Sequence, residues 1–241
     1  QFAIHLDDYI QKTNDLGGNG GVIFPNPNAP TGRALPRTTI EEFLKTNTQS
    51  VVVVDEAYIE FTPQASVVDL LPQYPNLVIL RTLSKAFALA GLRCGFTLAA
   101  EGVINALKKM IAPYPIAEPV AQIAAQALSQ TGITQMQQSV TSINQLRDAF
   151  ISFAKTQIGI KKVWPSNANY VLLQVDNAAD CVSALINADI LIRNQSSQIG
   201  LSQVVRVSIG NPQEMAQVTA AFSQYFANQS LVNSTQTKGA N

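Results

Sequence analysis

Lys85 lies in R-T-L-S-K-A-F-A-L-A-G-L-R-C-G, residues Arg81 to Gly95, among hydroxyls and an arginine rather than on a charged face. Thr82 and Ser84 precede it and Arg93 follows, where the apolar run Leu77 to Leu80 ends. A lysine amine condenses with an aldehyde, while hydroxyls and a bidentate guanidinium suit a phosphate dianion. A phosphorylated, carbonyl-bearing cofactor answers both requirements, and pyridoxal phosphate is the one implied. Taken alone a lysine is a solvated surface residue more often than a ligand, so the surroundings decide.

Asp55 follows the run Val51 to Val54, a strand that reads as too apolar to be exposed on either face. An acid at the end of such a strand is functional or paired. Tyr58 stands three residues on, close enough to serve the same group or to pack as a core aromatic.

Three motifs then combine: P-N-P-N-A-P-T-G at 25–32, D-E-A-Y at 55–58 and T-L-S-K-A-F-A-L-A-G-L-R at 82–93. With A-P-Y-P at 112–115, S-N-A-N-Y at 166–170 and R-V-S-I-G at 206–210, they resemble the fold type I pyridoxal-phosphate aminotransferases. Within that group the resemblance is to the histidinol-phosphate aminotransferase family. It runs in the family's order and spacing from about Gly21 to Pro212.

The resemblance implies Lys85 as the catalytic lysine, with Asn28, Asp55, Tyr58, Thr82, Ser84 and Arg93 as further cofactor contacts. Asp55 would pair with the ring nitrogen and Tyr58 would donate to the ring hydroxyl. The family commonly has an asparagine immediately before P-T-G; here that position is Ala29, and Asn28 is the nearest substitute. Arg206 matches the arginine that binds the substrate anion. Arg193 and Asn169 are further substrate candidates, with a surface charge and a turn role as their alternatives. The implied substrates are L-histidinol phosphate and 2-oxoglutarate or glutamate, handled by a homodimer. Relatives acting on aromatic amino acids, or decarboxylating threonine phosphate, share the cofactor residues, and an inactive truncated module is a third reading.

Sixteen basic and sixteen acidic residues cancel, and charged residues make up only 13%, so much of the surface must be uncharged polar. No basic stripe argues for nucleic acid, and no apolar run reaches the ~20 residues of a membrane helix. Cys94 and Cys181 lack metal-ligand spacing, so no metal site is expected and both read as thiols of a reducing, cytoplasmic compartment. His5, the only histidine, reads as a surface residue. The first residue is Gln1, and the chain reads as a fragment without the family's upstream segment.

The elements needed to position these residues alternate strand and helix, the pattern of an α/β domain with a mainly parallel sheet. The expected order is a helix before Gly17, a strand at Gly21–Phe24, a helix capped by Thr38 or Thr39, strands at Val51–Val54, Leu77–Leu80 and Cys94–Ala99, and helices near Val103–Met110 and Pro119–Leu128. A long helix from Gly132 to about Gln157 joins this to a smaller α+β domain. There the expectation is strands near 161–163, 170–174, 190–193 and 204–208 with helices near 178–188 and 212–226. The domains are thus read as 1–132 and 133–227. The tail 228–241 is polar and aperiodic and reads as disordered.

Overall fold

The computed structural model describes residues 5–15 and 20–238. The chain divides into two compact units, Gln1–Ala29 with Arg33–Val140, and Pro30–Gly32 with Thr141–Asn241.

Unit 1 is built on a four-stranded sheet. Its strands are β1 (Gly21–Pro25), β2 (Val51–Asp55), β3 (Leu77–Thr82) and β4 (Gly95–Ala99), in that spatial order. β1, β2 and β3 run parallel and β4 returns antiparallel to β3. Helix α1 (Leu6–Asp15) precedes the sheet and α2 (Arg37–Thr46) is the crossover between β1 and β2. The period-2 alternation of a strand sends Val22, Phe24, Val52 and Val54 to one face, where they pack with Ile40, Phe43 and Leu44 of α2. Tyr9 of α1 reaches the same core, its ring centroid 6.3 Å from that of Phe24.

The opposite face differs from the sequence expectation for β2. Ile23 and Val51 are 64% and 43% exposed, so the strand is buried on one face rather than both. Among the described residues of this unit, helix packing supplies only one apolar layer over β1 and β2.

Between β2 and β3 the chain makes three short 3-10 turns, Ile59–Phe61, Pro63–Ala65 and Val68–Leu70. Helices α3 (Glu101–Lys108) and α4 (Glu118–Ala127) follow β4. The long helix α5 (Gln130–Ala154) contains the division between the units, at Val140 and Thr141. Gly132, in its first turn, has to be glycine, since a Cβ there would collide with the Ala127 carbonyl oxygen at the end of α4.

Unit 2 holds a second sheet of β5 (Ile160–Val163), β6 (Tyr170–Val175), β7 (Arg193–Asn194) and β8 (Val204–Ser208), in the spatial order β5-β6-β8-β7 and antiparallel throughout. Helices α6 (Ala178–Ile186) and α7 (Pro212–Lys238) complete it. Val171, Leu173, Val205 and Val207 pack with Phe150, Phe222 and Phe226 in one continuous core.

Several boundaries move. Pro36, with φ fixed at −57°, stands at the N-cap of α2, so Thr38 and Thr39 fall in the first turn and cap nothing. The strand expected over 190–193 shrinks to the two residues of β7, because Ile190 N bonds back to Leu185 O and closes the end of α6 instead. Helix α7 continues past Phe226 to Lys238: no proline or glycine interrupts 213–238, so polarity alone does not end it. The side chain of Leu6, Gly17 within the turn expected there, and residues 239–241 lie outside the described residues.

Candidate active site

Two parallel strands end side by side in unit 1, and the chemistry-bearing residues gather at those ends. Asp55 closes β2 opposite Leu80 of β3, and the ladder continues one step further through Glu56 N to Leu80 O at 2.8 Å. Open parallel sheets bind ligands at the carboxyl ends of their strands. Asp55 is half-buried, and its Oδ1 accepts the Ala57 N–H at 3.0 Å. That bond fixes the carboxylate at the strand end.

β3 delivers the lysine loop. Thr82 Oγ1 accepts the Ser84 N–H at 3.0 Å and lies 2.9 Å from Ser84 Oγ, so the two hydroxyls are neighbours. Thr82 also donates to Cys94 O at 3.3 Å, and Leu83 N bonds the same carbonyl at 3.1 Å, which pins the loop to the start of β4. Gly95 is required there, since a Cβ would stand 2.8 Å from Arg81 O. Lys85 Nζ lies 5.1 Å from the centroid of the buried Tyr58 ring, within cation-π range.

Thus Lys85 meets Tyr58, and Thr82 meets Ser84. Arg93 is placed differently: it is exposed, has φ 54°, and donates from Nη1 to Ala90 O at 2.9 Å. Asn28 is half-buried in the P-N-A-P-T-G loop, whose base is closed by Asn28 N to Arg33 O at 2.7 Å. The fully buried Asn26 anchors that loop, accepting the Leu35 N–H at 2.7 Å and donating to Ala65 O at 3.4 Å.

The donor set fits pyridoxal phosphate chemically. An acceptor carboxylate suits a protonated ring nitrogen, the phenol of Tyr58 a ring oxygen, adjacent hydroxyls a phosphate, and a primary amine an aldehyde.

Unit 2 carries the other candidates. Arg193 and Arg206 are direct cross-strand partners in β7 and β8. They line a cavity of about 360 Å³ with Leu191, Ile192, Asn194 and Ser208. The Arg206 guanidinium lies 5.0 Å from the centroid of the Tyr170 ring, and its buried Nε has no hydrogen-bond partner among the described residues. Like charges directly opposite are unfavourable without a counter-ion, so this pair suits an anion. Asn169 is half-buried before β6 and its carbonyl accepts the Ile209 N–H at 2.9 Å.

Sequence reading passed over Glu56 and Arg81. Glu56 is completely buried, and its Oε2 lies 2.7 Å from Arg81 Nη2. The available signal was a pair of opposite charges following two apolar runs, Val51–Val54 and Leu77–Leu80.

The family model for Aminotransferase class I and II matches residues 1–222. Among curated proteins, the chain is 50% identical over 200 residues to a histidinol-phosphate aminotransferase of Aeromonas hydrophila, covering 83% of this chain and 56% of the relative. It is 46% identical over 206 residues to histidinol-phosphate aminotransferase 2 of Idiomarina loihiensis, covering 86% and 57%. The chain thus spans little more than half the length of these relatives. The crystal structure of the histidinol-phosphate aminotransferase from Clostridium acetobutylicum superposes with a TM-score of 0.85 at 29% identity, over 94% of this chain and 69% of that one. A family match over most of the chain, relatives of such identity and a shared fold lead to one conclusion: the chain belongs to the class I and II aminotransferases.

Proposed function

We propose that this chain carries the lysine site of a pyridoxal-phosphate-dependent transamination of L-histidinol phosphate with 2-oxoglutarate, a step of histidine biosynthesis. The observation that carries the reading is Lys85 Nζ seated 5.1 Å from the ring of Tyr58, which follows Asp55 by three residues at the end of β2, in a loop that opens on the Thr82–Ser84 hydroxyl pair. The names of the curated relatives support the substrate.

Bound pyridoxal phosphate supplies an aldehyde and an electron-poor ring that spreads the charge left when a proton leaves the substrate carbon. Asp55 holds a proton on the ring nitrogen, and Tyr58 donates to the ring hydroxyl. Thr82, Ser84 and Arg93 would hold the phosphate. Asn28 is the remaining ring contact. Lys85 Nζ would hold the aldehyde group, and its free amine would take a proton from the substrate carbon and return it as a general acid.

Arg206 binds the phosphate of histidinol phosphate or a carboxylate of glutamate through one guanidinium fork, with Arg193 and Asn169 as further substrate contacts. The unpartnered Arg206 Nε supports an anion there. The reading includes a homodimer, supported by the exposed apolar side chains of Met110, Ile111, Tyr114 and Ile116. It also includes a cytoplasmic location, supported by two buried thiols outside any disulfide. No helix among the described residues is long and apolar enough to cross a membrane.

A panel of amines tests the substrate. The cofactor-loaded chain is mixed in turn with L-histidinol phosphate, aromatic amino acids and threonine phosphate, and conversion to pyridoxamine phosphate is followed by absorbance. Conversion by histidinol phosphate ahead of the others, lost in Arg206→Ala, is the expected result. Preference for another amine contradicts the assignment.

A further inference from the structure

Glu56 sits where a core residue would be expected, wholly buried at the end of a valine strand. Its Oε1 accepts the Val67 N–H at 2.8 Å. Its Oε2 accepts the Ser66 hydroxyl at 3.0 Å and Arg81 Nε at 2.9 Å. Arg81 Nη2 lies 2.7 Å from the same oxygen and donates to Ser66 Oγ at 2.9 Å. Ser66 Oγ accepts a further bond from Val68 N at 3.2 Å. The hydroxyl therefore donates once and accepts twice, its full capacity.

Stability alone does not account for such a pair. A buried ion pair is often no more stable than well-packed apolar residues, whereas removing one partner leaves an uncompensated charge. Valine or leucine at position 56 would continue the surrounding core, whereas the Arg81 side chain is 27% exposed and reaches in from the edge of it. The pair's location points elsewhere. Glu56 directly follows Asp55, and Arg81 directly precedes Thr82, four residues from Lys85. The β2–β3 ladder ends with Glu56 N on Leu80 O; beyond it the chain after β2 enters the 3-10 turns, while β3 keeps only its pairing with β4, through Thr82, before the lysine loop begins. Where the β2–β3 pairing stops, the carboxylate and guanidinium take over, and the same carboxylate ties down the returning segment at Ser66 and Val67.

We propose that Glu56 and Arg81, with Ser66 as their bridge, are positioning residues that fix the Asp55 strand end and the Lys85 loop in register with each other. Successive strand residues project to opposite sides. The pair therefore grips the side of the strand ends away from Asp55 and Thr82, leaving theirs for a ligand. The inference rests on the reading of Lys85 as the cofactor lysine, but its primary test needs no cofactor.

The cofactor-free chain, with Arg81→Gln, Glu56→Gln and Arg81→Lys, is compared for amide hydrogen exchange over residues 82–94 and for the pH profile of Lys85 acetylation. Ile40→Val, a substitution in the α2 core of the same unit, controls for lost stability. Exchange faster by about tenfold or more and a displaced acetylation profile in the Gln variants, with Ile40→Val unchanged, support the proposal. Arg81→Lys, which keeps the charge but not the fork, falls between; if Arg81→Gln does not fold, it carries the comparison. Unchanged exchange and acetylation in the pair variants, or equal changes in Ile40→Val, overturn it. Should these effects appear in a chain that never forms a Lys85 adduct with pyridoxal phosphate, the cofactor reading fails and the positioning role stands.

Discussion

Two consecutive carboxylates at the end of β2 have opposite fates. Asp55 is half-buried and receives one backbone N–H, while Glu56 is sealed in with a guanidinium, a hydroxyl and a second N–H. The sequence made Asp55 visible, because its neighbours matched a known motif. Glu56 was hidden inside the same motif, since its role depends on Arg81, 25 residues away. A third acid, Glu60, has a buried Oε2 without a hydrogen-bond partner among the described residues. Burial pushes its carboxyl above the usual value of 4.5; its own backbone and Arg81 oppose this and Glu56 adds to it. A raised acid contributes stability that is fully present below pH 4.5 and lost as pH rises through the folded value. Glu60→Gln therefore raises the thermal midpoint at pH 7. At pH 4 the gain over wild type disappears. Melting curves at the two pH values check the sign.

Helix α7 shows how an element starts from local chemistry that periodicity alone does not reveal. Asn211 Oδ1 accepts the Glu214 N–H at 2.9 Å, and Glu214 Oε2 accepts the Asn211 N–H at 2.7 Å, a reciprocal capping box ahead of Pro212. Asn211→Ala should cost about 1 kcal/mol by chemical denaturation; an unchanged midpoint would refute the cap. Strong apolar runs made β1 to β4, β6 and β8 legible in the sequence, and apolar spacing near three and four did so for most helices, without this start signal. The misses have specific causes. Pro36 displaced the threonine caps expected for α2, and the closing bond of α6 shortened β7 to a pair of residues. The one-sided burial of β2 was illegible because four consecutive valines carry no alternation. The arginine partnership of β7 and β8 was equally hidden, since each residue could be placed but their register could not.

Across the molecule the two units differ in how completely their apolar surface is covered. Unit 2 has one continuous core from Phe150 to Phe226 with Ile158, Leu191 and Ile199 exposed outside it, whereas unit 1 leaves Ile23 and Val51 exposed on the sheet itself and Met110 and Tyr114 beyond α3. Each unit contains one buried thiol, Cys94 in the first and Cys181 in the second. Burial, with Asp180 nearby, pushes the Cys181 thiol up to about 12, so the folded unit holds it protonated and unreactive at pH 8. In rising urea, alkylation should reach Cys94 at a lower concentration than Cys181, read by peptide mass spectrometry. The reverse order would show unit 1 to be the more stable. The central claim concerns Lys85, and trapping tests it most directly: the chain and its Lys85→Ala variant are mixed with pyridoxal phosphate, reduced with borohydride and mapped by peptide. The account predicts an absorbance band present only with the lysine and a covalent label on Lys85; a label spread over surface lysines, equal in the variant, would contradict it.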